Sequence, residues 1–209
     1  MIWARSKYKE GMKIKAEPKS VGFCSICGEQ LIPKCGEIKI WHWSHKSNNE
    51  CDSWYEPESK WHIDWKNEFP PEQQEVIIGK HRADIRTRTR KIIELQNSPI
   101  NPKEITEREN FYGDMIWLLN GYTLGKNISF NKTNLRWNWM PGIIYASSKP
   151  IFVDFNSFII RINDCWKFKK RTYCSYTKYT KNQFLHIYGD IFDFFSEATK
   201  IKQATLEIK

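Results

Sequence analysis

Apolar positions recur along the chain in short alternating runs, broken by a few stretches with helical spacing, which predicts a mixed α/β fold rich in strands. Near the start, Lys13-Ile14-Lys15-Ala16 reads as a short strand, and Phe23-Cys24-Ser25-Ile26-Cys27-Gly28 as a tight turn whose glycine lets the backbone fold beneath two thiols. Ile38 to His45 alternates like a strand and sets His42 and His45 on opposite faces, with a polar turn, Ser47 to Glu50, before Cys51. A helix is predicted from Glu56, with Pro57 at its first position, through Lys66 and ending before Pro70-Pro71. Spacing of four sets Glu58, His62 and Lys66 in one stripe and Trp61 with Trp65 in another.

Three strands follow at 74–78, 82–87 and 91–96, joined tightly enough to read as an antiparallel meander. Asn101-Pro102-Lys103-Glu104 starts a helix with a cap, and Gly113 stops it. Met115 to Leu119 is apolar throughout, as in a buried central strand, although periodicity alone also admits a longer helix. Further strands are expected at 143–145, 151–153 and 158–160, and a helix from Asp190 onward.

Composition narrows the function. Lys plus Arg number 33 against 24 for Asp plus Glu, a net charge of +9 with pI ≈ 9.2, and this favours a polyanion such as DNA as partner. Aromatic residues make up 15%, a content compatible with stacking on bases. No apolar run is long enough for a membrane span and no basic start precedes a greasy stretch, so a cytoplasmic protein is expected. Cys24, Cys27, Cys35 and Cys51 crowd together, while Cys165 and Cys174 stand apart. In a reducing compartment the crowded group predicts a structural zinc site, with Cys24, Cys27, His45 and Cys51 as ligands, His42 in reserve and Cys35 a spectator.

Asp84 and Glu94 lie on adjacent strands ten residues apart, and Gln96 shares the face of Glu94. Two carboxylates with the Leu95 carbonyl make an oxygen site suited to Mg²⁺ or Mn²⁺. The bland alternative is an exposed cluster of ion pairs among Arg82, Arg86, Arg88 and Arg90. Lys167 to Lys181 interleaves basic and aromatic residues without an acid, which suits a phosphate backbone or a plain basic surface strand.

In order along the chain stand Cys24-x-x-Cys27, Trp41-His42-Trp43-Ser44-His45, Cys51-Asp52, Glu58-Ser59-x-x-His62-x-x-x-Lys66, Ala83-Asp84-Ile85, Glu94-Leu95-Gln96-x-Ser98-Pro99, Glu107-Arg108 and Met115-Ile116-Trp117. This string, over roughly residues 10 to 120, resembles the CoiA-like competence protein family, whose members join a zinc-ribbon-like region to a nuclease core of the PD-(D/E)xK superfamily. The resemblance implies a restriction-endonuclease-like αβββαβ core at 54–120, a zinc-ribbon-like module at 1–53 and a mixed C-terminal extension at 121–209. It further implies Asp84 and Glu94 as metal-binding acids, Glu58 as an added helix acid, and Gln96 where the superfamily more often keeps a lysine. Since an amide carries no charge, Lys66 or His62 is the expected substitute. Candidate nucleic-acid contacts are Arg82, Ser98, Arg108, Lys169, Lys170 and Arg171. The implied function is a Mg- or Mn-dependent deoxyribonuclease in DNA processing or recombination, with recombination or phage proteins as possible partners. The rival is a non-catalytic nucleic-acid-binding adaptor; a weaker third is a zinc scaffold that binds another protein through its tryptophans.

Overall fold

The computed structural model describes residues 1–8, 11–37, 40–46, 51–124, 127–169 and 171–190. Ile38 and Lys39 of the expected strand, the turn Ser47–Glu50, Lys170, and the helix expected beyond Asp190 lie outside the described residues. The fold is mixed α/β and mostly sheet.

Five short strands, β1 (Ala4–Ser6), β2 (Lys13–Ile14), β3 (Gly22–Phe23), β4 (Gln30–Lys34) and β5 (His42–Ser44), form one small sheet in the order β2-β1-β3-β4-β5. Its core is Met1, Ala4, Ala16, Cys24, Leu31 and Trp43.

Helix α1 spans Lys60–Lys66, and after a 3₁₀ turn at Pro71–Gln73 come β6 (Gln74–Ile78), β7 (His81–Arg86) and β8 (Ile92–Gln96). Helix α2 (Pro102–Tyr112) leads to β9 (Met115–Asn120), followed by α3 (Gly121–Leu124), β10 (Ile128–Phe130), β11 (Asn134–Trp137) and α4 (Ile143–Ala146). Then follow β12 (Ile151–Asp154), β13 (Ile159–Phe168), β14 (Arg171–Tyr179) and α5 (Lys181–Tyr188). All nine strands from β6 onward form one sheet, β10-β11-β14-β13-β12-β9-β8-β7-β6. β9 is fully buried and runs parallel to both β8 and β12, which explains the unbroken apolar run from Met115 to Leu119.

Alternation along these strands makes two cores. Ile92, Trp117, Leu119, Val153 and Ile160 join Ile105 of α2 on one face; Ile93, Leu95, Leu118, Phe152 and Ile159 join Trp65 of α1 and Phe184 of α5 on the other. The sheet therefore holds α1 and α2 on opposite sides of the strands that carry the acids.

Two expectations are corrected. The helix begins at Lys60 rather than near Glu56, because Ser59 caps it: its side chain accepts from the His62 backbone N–H while the His62 ring accepts from the Ser59 N–H. Ile143-Ile144-Tyr145 is helix α4 rather than a strand; Pro141 and Gly142 start a single turn whose backbone bonds close on Gly142 and Ile143, with Ile143 driven into the core. Helix α2 starts at its Asn101 cap, and Gly113 follows it with φ +70°, a conformation open to glycine at little cost.

Candidate metal and acid sites

Cys24, Cys27, His45 and Cys51 converge, each offering a donor atom within 4.8 Å of the others among the described residues. The turn over Cys24 to Gly28 closes through Gly28 N–H donating to the Cys24 carbonyl at 3.0 Å, and Gly28 takes φ +74° to do so. Cys24 Sγ lies 3.5 Å from Cys51 Sγ, and Cys27 Sγ 3.4 Å from His45 Nε2. Three sulfurs and one imidazole at these separations suit a tetrahedral Zn²⁺. Their acid–base balance fits as well. Burial and the neighbouring Cys24 push the Cys51 thiol up to about 12, whereas backbone N–H groups of Cys27 and Ile26 overcome burial and bring Cys24 down to about 7. Adjacent thiolates need a cation before both can ionise. His42 faces away and bonds the Ile40 carbonyl at 2.8 Å, and Cys35 packs against the module core.

Cys165 and Cys174, unpaired by any sequence signal, are cross-strand neighbours on β13 and β14 and form a disulfide.

The second constellation is organised by Lys66 at the end of α1. Its ammonium is 1% exposed and contacts Glu58 Oε1 at 2.6 Å, Asp84 Oδ1 at 2.9 Å and Glu75 Oε1 at 3.2 Å. Burial by itself lowers the pKa of this lysine, but Asp84, Glu58 and Glu75 together drive it well above the usual value. Asp84, despite burial, is held below the ordinary carboxylate range by Lys66 and then His62. Glu94 behaves in the opposite way: burial and the Asp84 charge raise it to about 7, against the pull of Arg108. Glu58 is likewise raised, chiefly by burial.

Asp84 and Glu94 also clasp each other's strands. The Asp84 N–H donates to Glu94 Oε1 at 3.3 Å, and the Leu95 N–H donates to Asp84 Oδ2 at 3.0 Å. Because His62 Nδ1 accepts from Ser59, Nε2 carries the ring proton and points it at the Leu95 carbonyl, 3.3 Å away. Glu58, His62, Lys66, Asp84, Glu94 and Leu95 line one cavity of about 30 Å³, space for an ion or a water molecule. Glu58 Oε2, on this cavity, is buried without a hydrogen-bond partner.

Gln96 is 4% exposed, and its amide donates to Glu56 Oε2 at 3.2 Å and to the Ser98 carbonyl at 2.9 Å. Of the residues expected to touch nucleic acid, Arg108 and Arg82 point inward. Arg108 donates to Glu94 at 2.8 Å and to the Trp54 carbonyl at 2.7 Å, and pairs with Glu104. Arg82 lines the cavity, with NH2 3.9 Å from Cys24 Sγ. Ser98, Lys169 and Arg171 are exposed.

Two residues, Glu75 and Asp154, had no local signal in the sequence, and a third, Asp52, stood in the Cys51-Asp52 motif with no role assigned. Glu75 binds Lys66 and also accepts the backbone N–H groups of Ile2 and Trp3 at 2.8 and 3.1 Å, tying the small sheet to the large one. Asp52, next to Cys51, accepts from the Arg82 backbone at 2.8 Å and pairs with His81 at 2.8 Å. Asp154 on β12 accepts both indole N–H groups of α1, from Trp61 at 2.8 Å and Trp65 at 2.7 Å. That grip sets the rotation of α1 and so aims His62 and Lys66, one position further round the helix, at the acids.

Comparison with known proteins first gives the class. Residues 59–192 match a family model described as "Competence protein CoiA, nuclease-like domain", so most of the chain is a nuclease-like domain. Residues 7–53 match "Competence protein CoiA, N-terminal domain", and the chain belongs to the CoiA competence protein family. Competence protein CoiA of Bacillus subtilis (strain 168) is 41% identical over 47 residues, which is 22% of this chain and 13% of that protein. No solved structure matches. Among the described residues no helix is long and apolar enough to cross a membrane.

Two expectations can be measured directly. Protein purified without chelator should carry about one zinc per chain by elemental analysis. Cys24→Ser should lose the ion and loosen the small sheet, whereas Cys35→Ser should keep it; equal losses from both would refute the ligand set. The second concerns pH. Between about 4.5 and 7 the folded chain keeps a proton on Glu94 that the unfolded chain has released, so this group's contribution to stability falls as pH rises through that window and is flat above it. Urea midpoints of Glu94→Gln should lack that component of the decline, and a decline as steep as the wild type's would contradict it.

Proposed function

We propose that the chain is a Mg- or Mn-dependent nuclease that cleaves phosphodiester bonds in DNA during processing or recombination of DNA, the setting suggested by its competence family. The observation that carries this is the meeting of Asp84, Glu94, Glu58, His62 and Lys66 around one small cavity. Helix α1, three antiparallel strands, helix α2 and the parallel strand β9 support a PD-(D/E)xK core at 54–120. On this reading residues 1–53 are a zinc-ribbon-like module, and 121–209 an extension whose described strands widen the core sheet.

The donor set fits a hard divalent cation: oxygen ligands only, with the unpartnered Glu58 Oε2 at hand. Asp84, Glu94 and the Leu95 carbonyl would hold it. When bound, such an ion polarises water and offsets charge on the phosphate. The protein's own residues do the rest. Lys66 keeps Asp84 ionised and brings a fixed positive charge to the cavity, the service that Gln96 cannot give because its amide is neutral and its NH2 group is taken up by Glu56 and Ser98. His62 directs its Nε2 proton at the Leu95 carbonyl and thereby orients it. Lys169 and Arg171, with Lys170 between them in sequence, supply phosphate contacts on the β13–β14 hairpin.

A second reading, a nucleic-acid-binding adaptor without turnover, is favoured by Gln96 and by the engagement of Glu94 with Arg108. Incubation of zinc-loaded protein with linear, circular and single-stranded DNA in Mg²⁺ or Mn²⁺ separates the two. Cleavage should fall roughly 10³-fold or more in Asp84→Asn and Glu94→Gln while DNA affinity holds or rises, and Gln96→Ala should cost no more than roughly 10²-fold. Absence of cleavage of every DNA form by the wild type, with affinity equal to that of Glu94→Gln, decides for the adaptor.

A further inference from the structure

Arg82 and Arg108 are turned toward the acids and the cysteines, which leaves open where a nucleic-acid backbone would meet positive charge beside the cavity. The β7–β8 turn offers an answer. Residues 82, 84 and 86 of β7 are its partly exposed positions, and Arg86 lies two residues along the strand, about 7 Å, from Asp84 toward the turn. Arg88 and Arg90 continue the series and are exposed. Arg86, Arg88 and Arg90 line one open groove with Pro70, Glu72 and Gln73. Among the described residues none of the three guanidiniums makes an ion pair, whereas Lys91 beside them is matched by Asp114 at 2.6 Å.

The turn is also built to hold its shape. Thr87 N–H donates to the Lys91 carbonyl at 2.9 Å, Arg90 N–H to the Thr87 carbonyl at 3.0 Å, and Lys91 N–H to Thr87 Oγ1 at 3.1 Å. From a hundred residues away, Asp190 accepts the Thr89 N–H at 2.8 Å and the Thr89 hydroxyl. Asp190 is thus spent on the turn itself and pairs with none of the three arginines. Arg90 itself has φ +70°, a left-handed conformation in which glycine or asparagine would be easier. A rigid turn that presents unneutralised guanidiniums at alternate positions suits phosphate oxygens, which arginine engages through paired N–H bonds.

We propose that Arg86, Arg88 and Arg90 on the β7–β8 turn form a contact surface for the phosphate backbone of nucleic acid flanking the acid cavity. The proposal rests on the nucleic-acid reading of that cavity but requires no cleavage. It is tested by fluorescence anisotropy of the zinc-loaded full chain with a labelled DNA duplex, across a salt series without added Mg²⁺ or Mn²⁺. For Arg88→Gln combined with Arg90→Gln, the slope of log affinity against log salt should shrink by about 1.8, at about 0.9 per phosphate contact. Arg88→Lys with Arg90→Lys, which preserves charge, should keep most of the wild-type slope, and this guards against a mere folding defect. Lys60→Gln, at a lysine already paired with Asp64, should change nothing. If the wild type binds and the double glutamine variant keeps its slope, the turn is only a solvated surface while the nuclease reading stands. If the wild type binds no nucleic acid at any salt, both fall. Equal arginine-dependent binding of polyglutamate would replace the phosphate backbone with an acidic polypeptide.

Discussion

A lysine whose side chain is 1% exposed can keep its charge only where anions replace the lost water, and in this protein three different segments supply them. Glu58 comes from the strap before α1, Glu75 from β6 and Asp84 from β7. None of the three acids could be buried in such proximity without the ammonium, and the ammonium could not be buried without them. The same contact that makes the region foldable keeps Asp84 ionised and positive charge beside the cavity, so stability and proposed chemistry share one interaction.

Other parts of the chain converge on this hub. Glu75 uses its carboxylate a second time to hold the backbone of Ile2 and Trp3, which fixes the small sheet against β6. From the cysteine cluster, Cys51 leads directly to Asp52, anchored on His81 and Arg82, and then to Trp54, which stacks on His81 and gives its carbonyl to Arg108, the partner of Glu94. The segment after Cys51 thus forms a wall of the acid cavity. On the other side Asp154, from the C-terminal part of the sheet, grips α1 by two indoles. The extension beyond residue 120 is therefore tied to the orientation of His62 and Lys66.

What the sequence made legible was local. Cysteine spacing and strand alternation named the four donors that converge and set His42 apart from His45, because a turn and a two-residue period are short-range facts. The ten-residue interval between Asp84 and Glu94 named a pair that the β7–β8 hairpin brings side by side. Pro57 mimics a helix opening, whereas the Ser59–His62 capping box decides the start of α1. At Ile143 to Tyr145 three apolar residues fit a strand or a single turn equally well, and only the fold decides for the turn. Glu75 and Asp154 carry no sequence signal, since each acts on a partner remote in sequence and looks like any surface acid, and Asp52 stands in the Cys51-Asp52 motif without showing there that it holds His81 and Arg82. Arg82 and Arg108 were expected to face DNA, and only the fold shows their guanidiniums turned inward.

The claim that Lys66 is the common support of fold and site is tested most directly by urea unfolding of Lys66→Met, alone and combined with Asp84→Asn. Removing the ammonium leaves buried carboxylates unpaired, so the single variant should lose about 3–5 kcal/mol, and the added Asp84→Asn should recover part of that loss, since one stranded charge is gone. A Lys66→Met protein within about 1 kcal/mol of the wild type, or a double variant whose losses simply add, would contradict the account.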